Sequence, residues 1–124
     1  MRLAAIDIGS NAARLLISDV TTDGNGIPSF TKDNLIRVPL RLGFDVFESG
    51  QISEHRIDMI MQTMKAYKHL LNVYDVIHLK ACATSAMRDA KNGQEIIDKV
   101  RDVTGIEIEI ISGSDEASFI YENH

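Results

Sequence analysis

The sequence predicts an α/β protein built on a mixed five-stranded sheet with flanking helices. Two observations carry that prediction. The N-terminal third holds three strand-like runs joined by short polar turns, and from Ser53 onward helical periodicity alternates with short apolar runs. A meander pairs its strands antiparallel, whereas a strand reached through a helix pairs in parallel, so the sheet is expected to be mixed.

The elements follow in order. "RLAAIDI" is short, apolar and bounded by Gly9, which suits a buried strand. "AARLLISDV" continues as a second strand up to "TTDGNGIP", whose Asp23-Gly24 and Asn25-Gly26 pairs signal a hairpin, and a third strand runs from Ile27 to Val38. "RLGFDVFESGQIS" reads as a loop punctuated by Gly43 and Gly50. Ser53 is an N-cap for a helix carrying Ile57, Ile60, Met61, Met64, Tyr67 and Leu71 at intervals of three and four. "VIHLKACA" reads as a parallel strand. Asn92 and Glu95 form a variant capping box for a helix with Ile96, Ile97, Val100 and Val103 on one face, and Gly105 ends it. "IEIEII" reads as a fifth strand with alternating faces, and Ser112 or Ser114 caps a last helix with Asp115 and Glu116 in its first turn.

At 124 residues the chain can form one core, or one lobe of something larger. Its net charge of −5 supplies no basic footprint for duplex nucleic acid, and no apolar run is long enough to span a membrane. The N-terminus does not read as a secretory signal, so the expected location is cytoplasmic. Cys82 is the only cysteine and reads as a small buried thiol. The four histidines have no metal-ligand spacing, and neither a P-loop nor a Rossmann glycine pattern is present.

Polar residues follow three apolar strands: Asp7 to Asn11, Thr84 to Arg88, and Ser112 to Glu116. Open sheets bind ligands at such strand ends, and if these strands are neighbours the three segments converge on one cleft. Gly9 permits a positive φ that would turn successive N–H groups into an anion nest, with Ser10 and Asn11 as added donors. The same residues also suit a plain hairpin turn. Thr84 and Ser85 offer hydroxyls and Arg88 a phosphate-matching fork, or else a helix cap and a solvated charge. Asp115 and Glu116 suit a helix N-terminus with or without chemistry. Physical reasoning thus reaches an anion site faced by a carboxylate.

"AAIDIGSNAARLLI", "ATSAMRDAKNG" and "TGIEIEIISGSDEASFIY", in this order and spacing, resemble the N-terminal lobe of the Ppx/GppA family of exopolyphosphatases and guanosine pentaphosphate phosphohydrolases. "LRLGFDVFESGQIS" is similar to the family's connecting segment. The resemblance implies an actin-like ATPase (ribonuclease H-like) lobe over residues 1–124, one of two that clasp a phosphate chain. Carried over position by position, it implies that Gly9, Ser10 and Asn11 form a phosphate loop and that Asp7 lies near a Mg²⁺ site. It implies further that Arg88 binds phosphate in the catalytic pair with Glu116, the base of the family's S-G-x-E-E-A pattern. Asp115 stands where the family commonly has glutamate, and Ala12 where it often has serine.

Family members continue into a second phosphate loop resembling D-I-G-G-G-S-T-E and a C-terminal lobe. The chain is therefore expected to be a fragment, inactive alone, with an apolar face that supports self-association as a homodimer. The expected substrate is polyphosphate or guanosine pentaphosphate. Two other readings keep the fold: a non-catalytic module that senses a polyphosphorylated ligand, and a kinase or ATPase lobe, against which the S-G-x-D-E-A segment argues.

Overall fold

The computed structural model describes residues 1–112. Strands β1 (Arg2–Ile8), β2 (Ala12–Thr22) and β3 (Pro28–Pro39) form the expected meander. Helices α1 (Leu42–Ser49) and α2 (Glu54–Val73) follow, then β4 (His78–Ala83), α3 (Ser85–Asp89), α4 (Gly93–Thr104) and β5 (Glu109–Ile110). The sheet order is β3-β2-β1-β4-β5, with β1 antiparallel to β2 and parallel to β4, and β4 parallel to β5. The strands that precede the three polar segments are therefore neighbours.

Alternation along the strands assigns the two faces. Ala4, Ile6 and Ile8 of β1, with Ala13, Leu15 and Ile17 of β2, pack against Ile60, Met64 and Tyr67 of α2 and Ile96, Ile97 and Val100 of α4. Each large aliphatic side chain among these, fully buried, contributes about 1.5–3 kcal/mol, so this helix-covered face supplies most of the core. The opposite face has a small cluster of Ala5, Cys82 and Ile111, and alternation along β1 puts the buried Asp7 on that face. Cys82 is buried, as its apolar setting predicts.

Four local expectations need correction. The segment read as a loop contains α1. Gly43 lies inside its first turn, where a Cβ would stand 3.1 Å from Ser10 Cβ, and Gly50 is its left-handed C-cap. Asp45 ties the helix to α2 by accepting from Ser53 N at 2.8 Å and Arg56 Nε at 2.7 Å. Burial opposes its charge, but Ser53 and the Arg56 cation outweigh that and hold the carboxyl below its usual range.

Ser53 caps α2 as expected, accepting from Arg56 N at 3.3 Å. Asn92 stands at the N-cap of α4 but makes no capping bond with its side chain, which brackets Ile52 instead. It accepts from Ile52 N at 3.0 Å and donates to Ile52 O at 2.9 Å. The fifth strand is shorter than "IEIEII" implied, because only Glu109 and Ile110 pair in register with β4, with Ile111 N adding a bond to Ala83 O at 2.9 Å, although Ile106 and Ile108 remain buried. Finally, Gly9 does not adopt a positive φ: its N–H closes the β1–β2 hairpin on Ala12 O at 3.0 Å.

Candidate phosphate-binding cleft

The loop after β1 is held from two sides. Asn11 O accepts from Leu40 N at 3.0 Å and Arg41 N at 2.9 Å, and Ser10 O accepts from Gly43 N at 3.0 Å, so the start of α1 is laced to the hairpin. On the other side Thr84 N donates to Ile8 O at 3.1 Å, which aligns the end of β4 with the end of β1. The Ser10 and Ser85 hydroxyls then meet at 2.9 Å. The structure thus brings together the polar ends of β1 and β4.

A cleft of about 290 Å³ opens beside this loop, lined by Asp7, Gly9, Ser10, Asn11, Ala12, Arg14 and Arg37. Asp7 is 7% exposed and forms an ion pair with Arg14. Its other carboxylate oxygen lies 3.9 Å from Cys82 Sγ. A buried carboxylate needs a cation or donors, and Arg14 answers that need for Asp7. With the Gly9 amide spent on the hairpin, the side-chain donors that line this wall are the Ser10 hydroxyl, the Asn11 amide and the arginines.

Sequence reasoning passed over Arg14, although the signal was present. Counting outward from the Gly9–Ala12 closure pairs Ile8 with Ala13 and then Asp7 with Arg14, as the ladder shows. The same row continues to Arg37 on β3 and to Cys82 and Glu109 on β4 and β5. Arg41 was passed over too. It takes a left-handed conformation, φ 54° and ψ 44°, at the N-cap of α1, which costs a non-glycine residue roughly 1–2 kcal/mol.

Thr84 occupies the N-cap position of α3 without a capping bond from its side chain. Arg88 lies in the last turn of α3, where its Nε is 3.3 Å from Asp89 Oδ1, and it is not among the residues lining the cleft. Ser114, Asp115 and Glu116 lie outside the described residues, as does the last helix. Among the described residues no three His, Cys, Asp or Glu side chains group as a metal site, and no helix is long and apolar enough to cross a membrane.

A mixed five-stranded sheet flanked by helices is the architecture of an actin-like ATPase lobe, and solved structures agree. The Ppx/GppA protein of Aquifex aeolicus superposes with a TM-score of 0.83 at 36% identity, covering 94% of this chain and 36% of that one. An exopolyphosphatase of Cytophaga hutchinsonii gives 0.81 at 31% identity, covering 95% and 36%. Exopolyphosphatase 1 of Mycobacterium tuberculosis is 34% identical over 122 residues, 98% of this chain. The chain spans 34% of that relative's length. The model of the Ppx/GppA phosphatase family matches residues 29–123, and the chain belongs to that family.

Proposed function

We propose that residues 1–124 are one lobe of a phosphoanhydride hydrolase that removes the terminal phosphoryl group of polyphosphate or guanosine pentaphosphate. The observation that carries this reading is the 2.9 Å contact between Ser10 and Ser85, which joins the polar ends of β1 and β4 beside a cleft with carboxylate and guanidinium on one wall. The named relatives that act on polyphosphate support it.

In this reading Ser10 and Asn11 hold the phosphate oxygens, with Arg88 as the family's phosphate-binding arginine. Glu116 orients a water and takes its proton. The water oxygen bonds to the terminal phosphorus as the bridging P–O bond breaks, and the leaving phosphate oxygen carries away the electron pair. Nearby cations offset the charge that develops on the phosphoryl oxygens.

Magnesium suits the donor set. It is commonly held by one or two carboxylates plus substrate phosphates rather than by a protein cage, and Asp7 supplies one carboxylate at the cleft wall. When bound, the ion would neutralise phosphate charge. Asp7 would hold it in competition with Arg14.

The test is phosphate release by the full-length protein with Mg²⁺, from both substrates, with and without Glu116→Gln. Loss of a general base lowers turnover by roughly 100-fold or more. Turnover within a few-fold of wild type would remove Glu116 from that role. The isolated 124-residue chain is expected to release none, because it supplies only one wall of the cleft.

A further inference from the structure

The cleft continues past Asn11. A second hollow of about 430 Å³, lined by Asn11, Arg37, Pro39, Arg41 and Phe44, shares Asn11 and Arg37 with the first. Its cations have no acidic partner among the described residues. Arg37 stands directly across the β2–β3 ladder from Arg14, a placement of like charges that weakens a sheet. Asp7 neutralises Arg14, whereas Arg37 and Arg41 make no ion pair or side-chain hydrogen bond among the described residues. The nearest acid on α1, Asp45, is committed to Ser53 and Arg56.

Two surplus positive charges therefore meet at one mouth of a chain whose net charge is −5. Arg41 is placed there by its own backbone, since its N–H is bound to Asn11 O and its left-handed conformation sets where the side chain leaves α1. Pro39 and the Phe44 ring form an apolar flank, with the Arg56 guanidinium 5.8 Å from that ring, and an apolar flank strengthens charge interactions beside it.

We propose that Arg37 and Arg41 form a specificity-determining subsite for linear polyphosphate, holding phosphoryl groups further along the chain than the one cleaved. The subsite rests on the phosphoanhydride-hydrolase reading and adds to it a dependence on chain length. A continuous polyanion bridges the two hollows, which a short chain confined to the first does not. Guanidinium forks match successive phosphoryl oxygens, and binding them releases condensed counterions, so the contribution of this hollow is sensitive to salt.

The experiment measures KM and kcat of the full-length protein for long-chain polyphosphate and for tripolyphosphate, in wild type and in the Arg37→Ala/Arg41→Ala double variant. Both side chains are exposed, so the variant should fold, and thermal melting checks this. In the variant, KM for the long chain should rise by about tenfold or more relative to KM for tripolyphosphate, the loss expected of hydrogen bonds to charged groups. The steepness with which salt raises the long-chain KM should fall as well. Paired Lys substitutions should restore part of the difference.

An unchanged ratio of the two KM values, or equal loss on both substrates, would overturn the subsite while leaving the hydrolase reading in place. A wild-type protein that turns over neither polyphosphate would overturn both. A variant that fails to melt cooperatively is replaced by the single substitutions, each expected to move the ratio in the same direction.

Discussion

The two hairpins of the meander look alike in sequence and differ in what holds them. The Asp23–Ile27 turn satisfies itself. Asp23 Oδ1 accepts from Asn25 N at 2.8 Å and Ile27 N at 2.9 Å, Gly26 N donates to Asp23 O at 3.1 Å, and the whole turn is exposed. The Gly9–Asn11 turn is held by others: α1 donates to its carbonyls and α3 meets its serine. A turn whose polar groups are spent on itself closes a chain, and one whose carbonyls are held from outside leaves the exposed Asn11 side chain without a partner among the described residues.

The largest effect in this contrast belongs to the core beneath the Gly9–Asn11 turn. The buried Tyr67 hydroxyl shares its one proton between Ala13 O at 3.0 Å and Ile36 O at 3.2 Å, pinning β2 and β3 just below Asn11. Tyr67→Phe should lower unfolding free energy by about 1–2 kcal/mol in denaturant melts. Burial also pushes the Tyr67 hydroxyl from 10.0 up to about 12. The unfolded chain releases this proton first, so between those pH values it binds fewer protons than the folded protein and stability falls as pH rises. The tyrosine's contribution is complete below pH 10, and the phenylalanine variant should lose this alkaline slope.

The Asp23–Ile27 turn should respond in stability alone. Gly26 has φ +80° with open space around it, so Gly26→Ala should cost about 1 kcal/mol through backbone strain, while polyphosphate binding by the full-length protein stays at the wild-type level. A fall in affinity would contradict the division between a closing turn and a binding one.

Ser10→Ala should show the reverse and the smallest stability change. It removes one part-buried hydroxyl contact, worth at most about 1 kcal/mol, yet it should weaken phosphate binding measurably by calorimetry. Loss of stability with unchanged affinity would make Ser10 a structural residue.

Much of the fold was legible. The DGNG hairpin, the α2 face and its Ser53 cap all rest on signals spanning only a few residues, and the parallel placement of β4 follows from the helix before it. The α1 helix was not legible, because Gly43 and Gly50 are common loop residues. What makes Gly43 helical is the proximity of Ser10, more than thirty positions earlier in the chain. Asn92 misled for a similar reason: its side chain found Ile52, an acceptor and donor that no local pattern announces.

The cleft divides the same way. Asp7, Ser10 and Asn11 could be picked out from the chain alone, since a carboxylate and short polar groups at the end of an apolar strand are unusual wherever they occur. Arg88 and Glu116 stood out only as polar residues after apolar strands and took their roles from the resemblance, and of the two only Arg88 lies within the described residues, on the surface of α3. The row of Asp7, Arg14 and Arg37 arises from strand register, and register is a relation between strands. Alternation and helical period are written into neighbouring residues. Which charges meet across the sheet, and which are left unpaired at its edge, depends on pairings that exist only once the chain has folded.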